Sequence, residues 1–419
     1  MIIAILGAGI SGLSCASILR QKGFDLRIFE KEKHVGGLCR SKVTNGYVFD
    51  LHGGHVFNSK YDDVREWVFS KLDSDKWHYS VRNAKILYNG RLISYPFELA
   101  LAELDVREAI ECLVDFVKPK GHEPDNFRDW LIWNFGQAIC ERYMIPYNNK
   151  IWAFPLHEMC VDWIKGKMPL PTIREVVTAL LTKDPKERKM PHSTFYYPLQ
   201  GGIQSLINAI INEVSEIKTD FQLNSLECIG KKWVINGEDY FDHVICTIPL
   251  KELTRVLKLP EKVKRAIEDL KYNSLTTTIC ESSKNDNISW IYVPSKEYRA
   301  HRLVFQGNFA PGNCPEGKSS ITIETIGKID PDNQVNEFKR CDQPKEIQLE
   351  DIIDTSFTEY AYMIFDKNYP ENINLINSYF KDINFTLLGR FAEWKYYNMD
   401  VCIKRAFEVA DELNRRVGD

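Results

Sequence analysis

Apolar and polar positions follow three regimes along the chain. The first is short apolar runs with glycines between them. Ile2 to Leu6 reads as a buried strand, Leu13, Ala16 and Leu19 recur at helical spacing as far as about Lys22, and Leu26 to Phe29 form a second strand ending at Glu30. The second regime, from about Ala100 to Glu187, is mostly helical. Ile110, Leu113, Phe116 and Val117 mark a core-facing stripe there, and 121–126 and 183–188 read as solvated connections. After a turn at Pro198 to Gly202 and a short helix through Ile211, strands Cys228–Ile229 and Trp233–Ile235 pair around Gly230-Lys231-Lys232. Phe241 to Pro249 reads as one further buried strand. The third regime, from about Leu275 to Ile326, is β: Thr276–Cys280, Ile288–Val293, Arg302–Phe305 and Ile321–Thr325. The polar 328–345 stretch reads as an exposed excursion, and an amphipathic helix from about Asp400 to Val417 closes the chain.

Composition narrows the class. The 419 residues, 44% hydrophobic and 27% charged, are globular and exceed one ordinary core. A net charge of −4 argues against a broad nucleic-acid footprint. No apolar run approaches the roughly 18 residues of a membrane span, and the start does not read as a secretory signal. Eleven cysteines without a CxxC pair point to free thiols in a reducing compartment, with no metal site, so a cytoplasmic location is expected.

Chemistry enters with Gly7, Gly9 and Gly12. They stand between the first strand and the first helix, with Glu30 at the end of the second strand. This is a dinucleotide fingerprint in its proper context. Gly7 makes the turn, Gly9 admits a pyrophosphate, Gly12 lets the helix approach the strand, and Glu30 suits an adenosine ribose. The helix N-terminus, with Ile10 and Ser11, offers amides to the phosphates. After Lys31, a second glycine pair, Gly36-Gly37, precedes Leu38, and this resembles the FAD-binding pattern of the amine-oxidase and glutathione-reductase superfamily. Gly389-Arg390 before the last helix, with Asn398 and Met399, offers a second approach to the same cofactor. The fold expected is α/β, with a discontinuous Rossmann-like FAD-binding domain (1–80, 192–249 and 380–419). Into it are inserted a helical domain (98–190) and a mixed or antiparallel sheet domain (81–97 and 250–379).

Three further segments carry chemistry. In His52-Gly53-Gly54-His55, a glycine pair between histidines suits backbone approach to a planar ring, although exposed loop histidines would look the same. Pro146 to Trp152 fits either a base-stacking pocket or helix-packing aromatics. Gly389 to Asp400 sets an arginine and tyrosines beside the proposed flavin.

Taken in order, these segments resemble the UDP-galactopyranose mutase family over nearly the whole chain. So do Tyr95-Pro96-Phe97, Tyr197 to Gly202, Trp290-Ile291-Tyr292 and Asn368-Tyr369-Pro370. The resemblance implies a flavoenzyme that interconverts pyranose and furanose forms of a nucleotide-linked sugar, UDP-galactopyranose first, through attack of N5 of reduced FAD on the anomeric carbon. It implies NAD(P)H as a transient reductant and a role in cell-surface polysaccharide synthesis; whether the chain forms an oligomer is left open by the sequence. By the same resemblance His55 and Gly54 belong to the flavin loop, and Arg390 lies near flavin and substrate. Arg302, Tyr292, Tyr369 and Tyr396 hold the diphosphate. Tyr95, Phe97, Asn148 and Trp152 form the uridine pocket and its surroundings, and Arg82 meets the sugar end.

The departures matter as well. Lys167 stands for a second diphosphate arginine and loses its bidentate fork. Glu98 stands where a glutamine meets uracil, His192 near an asparagine that meets the sugar, and Asn398 for an aspartate. These leave another nucleotide sugar (GDP- or dTDP-deoxysugar, or UDP-arabinose) as the alternative. An oxidase of the amine-oxidase type would share the N-terminal fingerprint but gives no reason for Arg302 with a set of tyrosines. A flavin-free binding protein like the GDP-dissociation inhibitors would share the scaffold, and the intact glycine fingerprint, Glu30 and the Gly389-Arg390 turn argue against it.

Overall fold

The computed structural model describes residues 1–418 apart from 165–167, 184–192, 215, 284–286, 342 and 382. Strand Ile2–Leu6 lies at the centre of a five-stranded parallel sheet, ordered Phe385–Leu387, His243–Cys246, Ile2–Leu6, Asp25–Phe29 and Ile217–Lys218. The central strand is buried from Ile3 to Leu6 and reads as an apolar run, as a strand covered on both faces does, whereas Asp25–Phe29 exposes Asp25 and Arg27. Helix Ile10–Gln21 starts three residues before the apolar spacing does and packs against the C-terminal helix Met399–Gly418.

The expected strand Phe241 to Pro249 is in fact two elements. Asp239–Phe241 pairs with Lys232–Ile235 in a three-stranded antiparallel sheet, and His243–Cys246 joins the parallel one. The chain crosses between them at Asp242, whose carboxylate accepts the Ile2 amide at 2.8 Å. Pro249 then caps helix Leu250–Val256.

The second large sheet has seven strands, ordered Ile352–Ile364, Lys271–Ser282, Ser319–Ile326, Arg302–Val304, Trp290–Tyr292, Ala84–Tyr88 and Arg91–Ser94. Its pairings are antiparallel except that of Trp290–Tyr292 with Ala84–Tyr88. The 328–345 stretch is not a mere excursion. Pro331–Arg340 is a helix capped by Asp330, and it buries Gln334, Val335 and Phe338. Three inward positions among ten were too few to show in a polar composition. Strand Ile352–Ile364 and helix Tyr369–Lys381 had no counterpart in the apolar pattern.

In the chain between strands Arg91–Ser94 and Thr194–Pro198 come helices Val106–Phe116, Phe127–Phe135, Ile145–Trp152 and Ile173–Thr182. Asp105, Asn126 and Thr172 cap three of them by accepting first-turn amides. Residues 184–188 of the expected connection lie outside the described residues. No described helix is long and apolar enough to cross a membrane.

Candidate active site

A cavity of about 1080 Å³ opens where the C-terminal ends of the parallel strands face the seven-stranded sheet. Gly7, Gly9, Ile10, Ser11, Glu30, Lys31, Gly37 and Leu38 line its first part. Helix Ile10–Gln21 begins at Gly9 with no side-chain cap, so its first amides have no partner within the helix and meet the cavity with the positive end of the helix dipole. A Cβ on Gly12 would stand 2.2 Å from the Gly7 carbonyl oxygen, so only glycine allows this helix to reach the strand. The Glu30 carboxylate accepts the Ala8 amide at 2.8 Å and the Glu32 amide at 3.0 Å, which fixes it at the end of its strand. Gly389, at φ +98°, lies against the same helix start, where a Cβ would come within 2.4 Å of the Ser11 hydroxyl. Arg390, Asn398 and Met399 of this turn line the cavity too. An uncapped helix start, a glycine cradle and a fixed carboxylate at the strand end fit the pyrophosphate and ribose of FAD.

The histidine loop forms the adjoining wall, with His52, Gly54 and His55 on the cavity. Burial pushes His55 down to about 4 and His52 to about 3, so both rings are neutral. His55 Nδ1 lies 2.6 Å from the Gly53 carbonyl oxygen, which can only accept. The ring proton is therefore on Nδ1, and Nε2 is left as an acceptor. Two buried carboxylates hold the loop backbone. Asp50 accepts the His55 amide at 3.2 Å, and Glu324 accepts the Gly54 amide at 3.0 Å.

Five arginines line the cavity, Arg40, Arg82, Arg255, Arg302 and Arg390, and the last of these with Arg82 and Arg302 belong to its far end, beyond the loop. Arg82 is stacked between Tyr95 and Trp290, at 4.9 and 4.7 Å from the ring centroids, and donates to the Tyr292 hydroxyl at 2.8 Å. Arg302 makes a two-point pair with Glu324, Nε to Oε2 at 2.6 Å and Nη2 to Oε1 at 2.9 Å. Arg390 lies over Tyr396 at 4.6 Å and donates to the Ala361 carbonyl at 3.1 Å. This end is a cationic, aromatic-walled pocket suited to a phosphorylated, ring-bearing ligand.

Other expected site residues lie apart from the cavity surface. Phe97 is buried in a stack with Tyr143, their centroids 5.4 Å apart. Asn148 donates to Met144 and accepts from Trp152, at 2.8 and 2.9 Å, so both groups serve the helix they stand on. The Tyr369 hydroxyl donates to the Trp394 carbonyl at 3.0 Å. Glu98 is buried with Oε2 unpartnered among the described residues, and burial pushes its carboxyl up to about 7. Tyr95 and Tyr396 touch the cavity arginines without lining it. Lys167 and His192 lie outside the described residues.

Glu324 and the 356–360 segment of strand Ile352–Ile364 also line or support the site, unforeseen. A signal for Glu324 was available. A carboxylate inside a run of β-branched residues, Ile321 to Ile326, that reads as a strand needs a cation nearby if it is buried, and Arg302 was already a candidate. Among the described residues no three His, Cys, Asp or Glu side chains group as metal ligands, and the eleven cysteines are unpaired.

The chain is 24% identical to a UDP-galactopyranose mutase of Mycoplasma genitalium, over 98% of this chain and 94% of that one. It is 22% identical to a dTDP-fucopyranose mutase of Escherichia coli, over 97% of each. A crystal structure of reduced UDP-galactopyranose mutase has the same fold, with a TM-score of 0.88 at 22% identity, covering 98% of this chain and 93% of that one. The model of the flavin containing amine oxidoreductases matches residues 10–340. The chain belongs to the flavin-containing amine oxidoreductase family, and from end to end it is similar to nucleotide-sugar mutases.

Proposed function

We propose that this protein is a flavin-dependent mutase that interconverts the pyranose and furanose forms of a nucleotide-linked sugar. The observation that carries the reading is the joining, in one cavity, of the FAD cradle to a pocket with three arginines. An enzyme whose substrate carries a diphosphate and releases it needs such cations; oxidation of a neutral amine does not. Similarity over the whole length to two mutases, and not only over the nucleotide fingerprint, supports the same reading.

When bound and reduced, the flavin supplies a nucleophilic nitrogen, N5, for the anomeric carbon. The protein's own part is binding and electrostatics. Arg302 and Arg390 meet the charge that develops on the departing diphosphate and keep it close for its return. Arg82, stiffened by two rings and the Tyr292 hydroxyl, holds its fork in one orientation at low entropic cost. Neutral His55 adds an acceptor without adding charge. No side chain needs to act as the nucleophile. NAD(P)H is proposed as the reductant, visiting the same cavity, and the cytoplasm as the place of work.

UDP-galactopyranose is the first substrate to test. The E. coli relative, named for a dTDP-linked sugar, makes dTDP-fucopyranose the second. Incubating the dithionite-reduced protein with UDP-, dTDP- and GDP-sugars, and resolving pyranose from furanose by chromatography, tests the reading. Conversion of one nucleotide class identifies the substrate; conversion of none rejects a mutase.

A further inference from the structure

Glu324 is fully buried, yet it bears the only carboxylate described as pairing with Arg302. The two residues face each other across adjacent antiparallel strands, Arg302–Val304 and Ser319–Ile326. Such a cross-strand position lets both oxygens meet the guanidinium edge at 2.6 and 2.9 Å. Oε1 has a second task, accepting the Gly54 amide at 3.0 Å. One carboxylate thus holds both the histidine loop of the flavin cavity and the arginine at the cationic end. The His301 ring lies beside it, Nε2 at 3.5 Å from Oε2, and burial keeps that ring neutral, so Arg302 remains the charge that balances Glu324.

We propose that Glu324 is a positioning residue that couples the flavin loop to Arg302, fixing the guanidinium for a nucleoside diphosphate and registering the posture of Gly54. The inference rests on the function proposed above. Arg302 has five N–H groups, and the pair uses Nε and one Nη2 proton, leaving Nη1 for a ligand. Without the carboxylate the arginine keeps its charge but loses its direction. Ground-state attraction for a diphosphate would then survive, while stabilisation of the departing charge, which needs exact placement, would not.

The test is a double-mutant cycle with Glu324→Gln, Arg302→Gln and the pair, in the flavin-loaded full chain. Four quantities are read: kcat and KM for UDP-galactopyranose, UDP affinity by calorimetry, and the midpoint potential of the bound flavin. Glu324→Gln should lower kcat by about tenfold or more and leave UDP affinity within about threefold. It should also raise the flavin potential, because a buried negative charge has gone. In the Arg302→Gln background, adding Glu324→Gln should change kcat by less than about threefold. Glu324→Asp keeps the charge but draws it back by one methylene, so it should fold, retain flavin and still lose turnover. An unchanged kcat and potential in Glu324→Gln, with Arg302→Gln impaired, would overturn the coupling and leave the function standing. Fully additive losses would also overturn it. An unimpaired Arg302→Gln would instead reject the functional reading of Arg302 itself.

Discussion

Arg82 and Tyr292 are joined by a hydrogen bond of 2.8 Å from Nη2 to the phenol oxygen, with the guanidinium held between Tyr95 and Trp290. The stack depends on a flat cation, so Arg82→Lys would not be conservative. A lysine keeps the charge and loses the two-faced contact. We expect KM for the nucleotide sugar to rise about tenfold in Arg82→Lys, and only a few-fold in Tyr292→Phe, with flavin content unchanged. Steady-state kinetics on the reduced enzyme checks this. Equal effects from both variants would mean that the stack does not orient the arginine.

Two glycines of one motif should fail differently. A Cβ on Gly9 meets nothing closer than the Gly37 Cα at 3.8 Å, so the protein has room for it and the clash would fall on the cofactor. Gly9→Ala should fold and lose most of its flavin. Gly12→Ala puts a Cβ 2.2 Å from the Gly7 carbonyl, so it should destabilise the fold itself, by about 3 kcal/mol. Flavin absorbance per protein and thermal melting separate the two outcomes.

His55 should stay neutral through the physiological range. Its folded value, pushed down to about 4, lies below the ordinary 6.5. The fold therefore has the full benefit of the neutral ring above about pH 6.5 and loses it as pH falls towards 4. In ring-nitrogen NMR, the Nδ1-protonated pattern should persist from pH 5.5 to 8. A titration centred near 6.5 would refute the buried neutral assignment.

Glu98 has the opposite sign. Its carboxyl is raised from 4.5 to about 7 by burial, so its contribution is intact below pH 4.5 and lost as pH rises through 7. Glu98→Gln should gain stability over the parent as pH rises, by up to roughly 3 kcal/mol at pH 8.5. Denaturant melts at pH 5 and 8.5 measure the difference, and an equal effect at both would contradict it.

The nucleotide half of the fold was legible because its signals are local. Strand, Gly7-x-Gly9-x-x-Gly12 and helix fall within about twenty residues, and the central strand Ile2–Leu6 reads as a plain apolar run. Strand Ile352–Ile364 escaped notice because it forms a sheet edge whose exposed positions, Thr355, Phe357 and Glu359, break the apolar pattern. Helix Pro331–Arg340 escaped because its inward face is narrow. At the site, Arg302 stood out as a residue type, but its pairing with Glu324 is a matter of strand register, which no local pattern encodes. Phe97, Asn148 and Tyr369 stand in the segments that suggested them, yet their side chains are engaged inside the protein.

In the proposed function a redox cofactor serves a reaction without net redox change. The most direct test is anaerobic turnover of UDP-galactopyranose and dTDP-fucopyranose by oxidised and by dithionite-reduced protein, with the flavin spectrum followed throughout. Ring interconversion is expected of the reduced form alone, over many turnovers, with the flavin still reduced at the end. Turnover that oxidises the flavin stoichiometrically, or consumes oxygen with an amine or another reductant and leaves the sugars unchanged, would contradict it.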